Sequence, residues 1–126
     1  MRATYRVLAY LIAIGVFLQA AAVAFAWFDV INSVEAGQVF SAGSEGNIGH
    51  VIHGVVGMNI MPIIALLLLI ISFFAKVPGA WKWALGIVLA VAVQIVVAIM
   101  SFETPWLGAL HGVNALIILG LALTAA

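Results

Sequence analysis

His50-Val51-Ile52-His53-Gly54-Val55-Val56-Gly57-Met58-Asn59 opens an apolar run that continues to Ala75, and a shorter echo, Leu110-His111-Gly112-Val113-Asn114, opens the last apolar run of the chain. His53 and His111 each start the tripeptide His-Gly-Val, and with His50 they are the only histidines among 126 residues. Runs of roughly 18 or more apolar residues read as transmembrane helices. The chain is 67% hydrophobic and 6% charged, which excludes an ordinary soluble domain; such domains carry about a quarter charged residues. One small membrane domain follows, and the lipid bilayer is its first partner.

Working outward, four spans are predicted, at about 7–28, 48–75, 83–102 and 106–124, with one substantial outer loop at 29–47. The first follows Met1-Arg2 and Arg6 and passes Ala24-Phe25-Ala26, a mimic of a signal-peptide cleavage site. Its apolar run exceeds the ~7–15 residues of a signal core, so a retained anchor is expected. In the loop, Val34 to Phe40 suit a short interfacial helix, and the glycines and serines after it mark flexible chain. Pro62 is expected to kink the second span near its middle. Lys76-Val77-Pro78-Gly79-Ala80-Trp81-Lys82 reads as a tight basic turn beside an interfacial tryptophan pair, Trp81 and Trp83. Pro105-Trp106 suits a helix start.

All four basic residues (Arg2, Arg6, Lys76, Lys82) fall on one side of these spans, and all four acidic ones (Asp29, Glu35, Glu45, Glu103) on the other. The positive-inside rule then places both termini in the cytoplasm and the long loop outside. The expected fold is an all-α membrane protein, a four-transmembrane up-down-up-down helix bundle. The net charge is zero, so nothing points to nucleic acid. The absence of cysteine excludes thiolate catalysis, iron–sulfur clusters and thiolate haem ligation.

The bundle reads as two similar helical hairpins. The first span carries Gly15, Gln19, Ala22 and Ala26 at helical spacing and ends in Trp27-Phe28-Asp29. The third carries Ala90, Gln94, Ala98 and Ser101 and ends in Phe102-Glu103. Parallel repeats about an axis along the membrane normal have this pattern, although stripes of small residues are also simply how membrane helices pack. Glutamine is costly in lipid, so Gln19 and Gln94 are expected to face inward, toward Asn59, Asn114 or backbone carbonyls. Interhelical hydrogen bonding is the plainer role for them, and a haem or quinone contact the alternative.

His53 and His111 each lie roughly 7–8 Å below the outer end of their helix, at 1.5 Å per residue. The second and fourth helices of such a bundle are diagonally opposite, with axes roughly 11–14 Å apart. Two imidazoles with a flat macrocycle between them suit that gap. Gly54, Gly57 and Gly112 are expected to clear space for a large ring, with Asn114 flanking. No arginine or lysine lies on the outer side to meet haem propionates, but outward helix N-termini attract anions, and His50 stands one turn above His53 as a proton donor. Three other readings stay open. The histidines are packing residues bonded to carbonyls; or His50, His53 and His111 form a copper or zinc site with Glu45 or Glu103; or they polarise a quinone, which is compatible with haem. Met58, Met61 and Met100 read as core filler.

The run Ile52-His53-Gly54…Gly57-Met58…Pro62…Ala65-Leu66-Leu67-Leu68-Leu69-Ile70…Ser72-Phe73-Phe74-Ala75-Lys76-Val77-Pro78-Gly79, with Lys82-Trp83 and Leu110-His111-Gly112-Val113-Asn114-Ala115-Leu116, resembles a family of small four-span bacterial membrane proteins of unknown function. The resemblance implies four helices and residence in the bacterial cytoplasmic membrane, and it leaves Val30 to Gly49 unmatched. The paired His-Gly arrangement is similar, as architecture, to b-type cytochromes that hold haem between diagonal helices. The function expected is electron transfer by one bis-histidine haem b, held by His53 and His111, with a quinone or a larger membrane oxidoreductase as partner, or within a homo-oligomer. The rival class is a non-catalytic accessory subunit of a respiratory or transport complex.

Overall fold

Four helices of the chain are long and apolar enough to cross a membrane, the character expected of a multi-pass membrane protein. A computed structural model describes residues 1–126. In order they form α1 (Arg2–Glu35), α2 (Ile48–Val55), a π-helical segment (Val56–Ile60), α3 (Met61–Ser72), α4 (Ala80–Ser101) and α5 (Leu107–Ala125). There is no strand. α2, the π segment and α3 run on as one 25-residue span.

Two boundaries differ from the sequence expectation. α1 continues through Asp29 to Glu35, so no separate helix forms at Val34–Phe40. Asn47 reaches back to this part of α1, donating from Nδ2 to the Ala26 carbonyl and to Asp29 Oδ2. The turn between the hairpins begins earlier than expected, with α3 ending at Ser72 and α4 starting at Ala80. Lys76 and Gly79 adopt left-handed backbone conformations in that turn, with φ of 54° and 73°.

α1 packs on α2, α3 and α5, and α4 packs on α3 and α5. The buried core is confined to one half of the molecule. It comprises Tyr5, Ala9, Ile12, Ala13 and Val16 of α1, Met61, Ala65 and Leu68 of α3, Ala75 of the following turn, Ala80, Ala84, Ile87, Ala90 and Val91 of α4, and Ile118, Ala122 and Ala125 of α5. Small residues let the backbones approach, as membrane helices require in place of a hydrophobic driving force. Tyr5 Oη donates to the Ala80 carbonyl at 3.2 Å, Arg2 Nη2 to the Lys76 carbonyl at 3.2 Å, and Arg6 Nε to the Ala126 carbonyl, which gathers these segments at one end. Large apolar side chains such as Phe17, Leu66, Val96 and Leu116 point outward. That surface suits lipid and is too apolar for water. Hydroxyls in the spans bond their own helix, Ser72 to Leu69, Ser101 to Val97 and Thr124 to Gly120, as groups without water must.

The other half of the molecule is more open, and only Ala26 and Gly49 are buried there. Gly49 is where α2 touches α1. A methyl group at that position would come 2.6 Å from the Ala22 carbonyl oxygen and 2.9 Å from the Ala26 amide nitrogen, so only glycine permits this crossing. All the polar side chains of interest lie in this half.

Candidate functional site

The buried face of α5, Ile118, Ala122 and Ala125, extends back one heptad to His111. Seven residues fall within about 20° of two full turns at ~100° per residue, so an unbroken α-helix already aims His111 inward. The other span has a different spacing. The buried face of α3 starts at Met61, followed by Ala65, Leu68 and Ser72, and His53 lies eight residues before Met61. Eight residues overshoot two turns by about 80°, which would turn His53 toward lipid. The π segment removes that error. Its i→i+5 hydrogen bond, Met61 N–H to the Val56 carbonyl, absorbs one residue and returns His53 to the inward face. Pro62, without an N–H, sits where such a bulge is tolerated. Asn59 Nδ2 donates to the Val55 carbonyl beside it at 3.1 Å.

The two imidazoles consequently face each other across the bundle. Their ring centroids are 6.0 Å apart and their planes are inclined by 60°. Each is held in the same way: His53 Nδ1 lies 3.1 Å from the Gln19 carbonyl, and His111 Nδ1 lies 3.1 Å from the Gln94 carbonyl. A carbonyl can only accept, so Nδ1–H is the donor in both bonds, the arrangement in which a neutral ring keeps its lone pair on Nε2. The glutamines that marked the repeat in the sequence therefore do act as equivalents, but through their backbone carbonyls.

Beyond that bond the hairpins differ. Gln94 Nε2 lies 3.1 Å from His111 Nε2 and donates to its lone pair, while Gln94 Oε1 accepts from Asn114 Nδ2 at 2.7 Å. Asn114 also donates to the Ala90 carbonyl at 2.8 Å. In the first hairpin, Val56 occupies the position equivalent to Asn114, and Gln19 Nε2 is buried without a partner. Of the partners expected for the two glutamines, Asn114 is bonded by Gln94. The pairing of Gln19 with Asn59 does not occur, because Asn59 is exposed and bonds its own helix.

Two further residues sit elsewhere than expected. Gly57 does not clear space for a ring between the histidines; the space beside it holds Gln19, whose Oε1 would lie 3.3 Å from a methyl group there. Gly54 and Gly112, in contrast, face open space with nothing within 4 Å. His50 stands apart from the pair, its ring edge against Trp27 at 5.6 Å and its Nδ1 buried without a partner. Accordingly, no three of the His, Asp and Glu side chains come together as ligands for a metal ion, and the copper or zinc set of His50, His53, His111 and Glu45 or Glu103 is not assembled. The amides at the start of α2 are also spoken for, since Asn47 Oδ1 accepts from Gly49 and His50 N–H.

The chemistry this arrangement permits is narrow. Two metal–imidazole bonds of about 2.0–2.1 Å on opposite sides of one ion place the ring centroids roughly 6 Å apart. The separation observed is of that size, and both Nδ1–H groups already have the carbonyl acceptors that ligating histidines use to fix their orientation. A closed tetrahedral site needs two more protein ligands, whereas a haem iron brings four nitrogens of its own. The pair thus offers two imidazole donors anchored through Nδ1 and no further protein ligand, with the Nε2 of His111 engaged by Gln94. Comparisons with protein-family models, curated proteins and solved structures give no match.

Proposed function

We propose that this chain is a multi-pass protein of the bacterial cytoplasmic membrane that carries one b-type haem between His53 and His111. In this reading the bundle runs up-down-up-down with both termini cytoplasmic, the setting its resemblance to small four-span bacterial membrane proteins implies. The observation that carries the proposal is the facing imidazole pair, 6.0 Å between centroids, each anchored through Nδ1 to the carbonyl of an equivalent glutamine. The π segment adds weight, because such bulges concentrate at functional sites and this one turns His53 toward its partner.

His53 and His111 would hold the iron through Nε2. A bound haem would supply a one-electron couple. The rest is the work of the protein. The Gln19 and Gln94 carbonyls fix the tautomer and tilt of each ring. To hold the iron, His111 would have to give up the Gln94 amide at its Nε2, and Asn114 would still hold Gln94 through Oε1. Gly54 and Gly112 leave room beside each ligand. Electrons would be exchanged with a quinone or with a larger membrane oxidoreductase. Iron analysis of protein purified in mild detergent tests the proposal: one iron per chain, lost in His53→Ala and in His111→Ala, is expected, and iron retained in both variants would overturn the assignment.

One observation favours a second reading. The Gln94–His111–Asn114 network satisfies His111 fully without any ligand, as a purely structural polar contact would. The chain would then be a non-catalytic subunit whose apolar surface packs on a larger complex. Co-purification of a stoichiometric partner with an iron-free chain would favour it.

A further inference from the structure

The end of the molecule opposite the histidines carries a second feature. A cavity of about 380 Å³ is lined by Arg2, Tyr5, Arg6, Val77, Pro78 and Thr124, together with the last two residues of α5's end of the bundle. A second, of about 470 Å³, adjoins it, sharing Arg2 and adding Phe74 and Lys76. Arg2 and Arg6 are one helical turn apart on α1 and so share a face. Each guanidinium is fixed by a carbonyl from a different segment, Arg2 by Lys76 of the α3–α4 turn and Arg6 by Ala126. Each main-chain oxygen engages one N–H of a five-donor guanidinium fork and leaves the other donors free. The side-chain carboxylates Asp29, Glu35, Glu45 and Glu103 all lie toward the other ends of their helices or in the outer loop, so no acidic side chain faces this cluster. Lys76, held left-handed at φ 54°, adds a third positive charge at the mouth, and Phe74, Val77 and Pro78 give the walls an apolar lip.

We propose that this paired cavity binds the phosphate of an anionic phospholipid headgroup, Arg2 and Arg6 gripping the phosphate oxygens while the acyl chains lie along the apolar helices. Guanidinium forks match phosphate geometry, and basic pockets between helices on the cytoplasmic side are suited to such headgroups. The inference needs the bilayer placement but is independent of the haem. A general preference of positive residues for the cytoplasmic side would distribute the effect over all four cations. Lys82 provides the control: it lines neither cavity, and its Nζ lies 5.7 Å over the Trp81 ring instead.

The test uses the full chain in neutral detergent, with phosphatidylglycerol, phosphatidylcholine or inorganic phosphate as probe. Lipid retained on the intact protein is measured by mass, and the thermal midpoint is followed against probe concentration. Phosphatidylglycerol should be retained and stabilising, and phosphatidylcholine neither. Arg2→Ala with Arg6→Ala should weaken phosphatidylglycerol binding about thirtyfold, and Arg2→Lys with Arg6→Lys should restore only part of it. Lys82→Ala should leave selectivity intact. Equal retention of both lipids by the unaltered protein overturns the proposal without any variant. So does a loss in Lys82→Ala as large as in either single arginine variant. Full stabilisation by inorganic phosphate alone would overturn the lipid as its source.

Discussion

Deleting Met58 should leave the histidine pair intact, whereas deleting Leu116 should destroy it. The first deletion removes one residue from the π segment and makes the span a continuous α-helix, with His53 then seven residues before the Met61 position, as His111 is before Ile118. With side chains reaching about 5–6 Å from the helix axis, a 20° error moves an imidazole by roughly 2 Å. Deleting Leu116 leaves six residues between His111 and Ile118 and turns His111 by about 100°, a displacement of roughly 8–9 Å. The 6.0 Å separation cannot survive that. Because the chain has no cysteine, His53→Cys with His111→Cys provides a clean pair for a short bifunctional thiol reagent. Intact mass then reports one bridging reagent in the full-length and Met58-deleted chains, and two singly attached reagents in the Leu116-deleted chain. Loss of bridging on deleting Met58, with bridging retained on deleting Leu116, would refute the register argument.

Other substitutions test the contacts separately. Gly49→Ala should destabilise the protein by about 1–3 kcal/mol, because the added methyl meets backbone that cannot yield; Gly54→Ala, facing open space in a helix, should instead stabilise by about 0.5–1 kcal/mol, and thermal unfolding in detergent compares them. Asn114→Leu removes two interhelical bonds and should cost about 1 kcal/mol at roughly 0.6 kcal/mol each. A double-mutant cycle with Gln94→Leu should show coupling of that size for the shared bond. Tyr5→Phe strips the Ala80 carbonyl of its buried donor and should cost about 1–3 kcal/mol, read by the same unfolding assay.

Much of this organisation was legible in the residues. The four spans followed from unbroken apolar runs, and the inward histidines from their placement at matching depth. Asn114 was among the partners expected for the two inward glutamines, since two amides on neighbouring inward faces have few other partners in an apolar span, but nothing in the sequence assigned it to Gln94. The Nδ1 acceptors were not foreseeable, because they are backbone carbonyls, which every residue carries equally. The π segment did leave a trace: His53 precedes its heptad partner by one residue more than His111 does, with Pro62 just beyond. Reading Pro62 as a simple kink missed that surplus residue. Asp29, Asn32 and Ser33 suggested a loop by composition, but α1 runs on through them to Glu35, with Asn47 bonded to Ala26 and Asp29. Gly49 resembled its neighbours in sequence, and only the crossing of α1 and α2 shows why it must lack a side chain.

The most direct test of the central claim is a visible absorption spectrum of the purified protein before and after dithionite. A sharp α-band on reduction, abolished by either His53→Ala or His111→Ala, is the result expected of a haem held between these two rings. A colourless protein, or a band that persists in both variants, would contradict it.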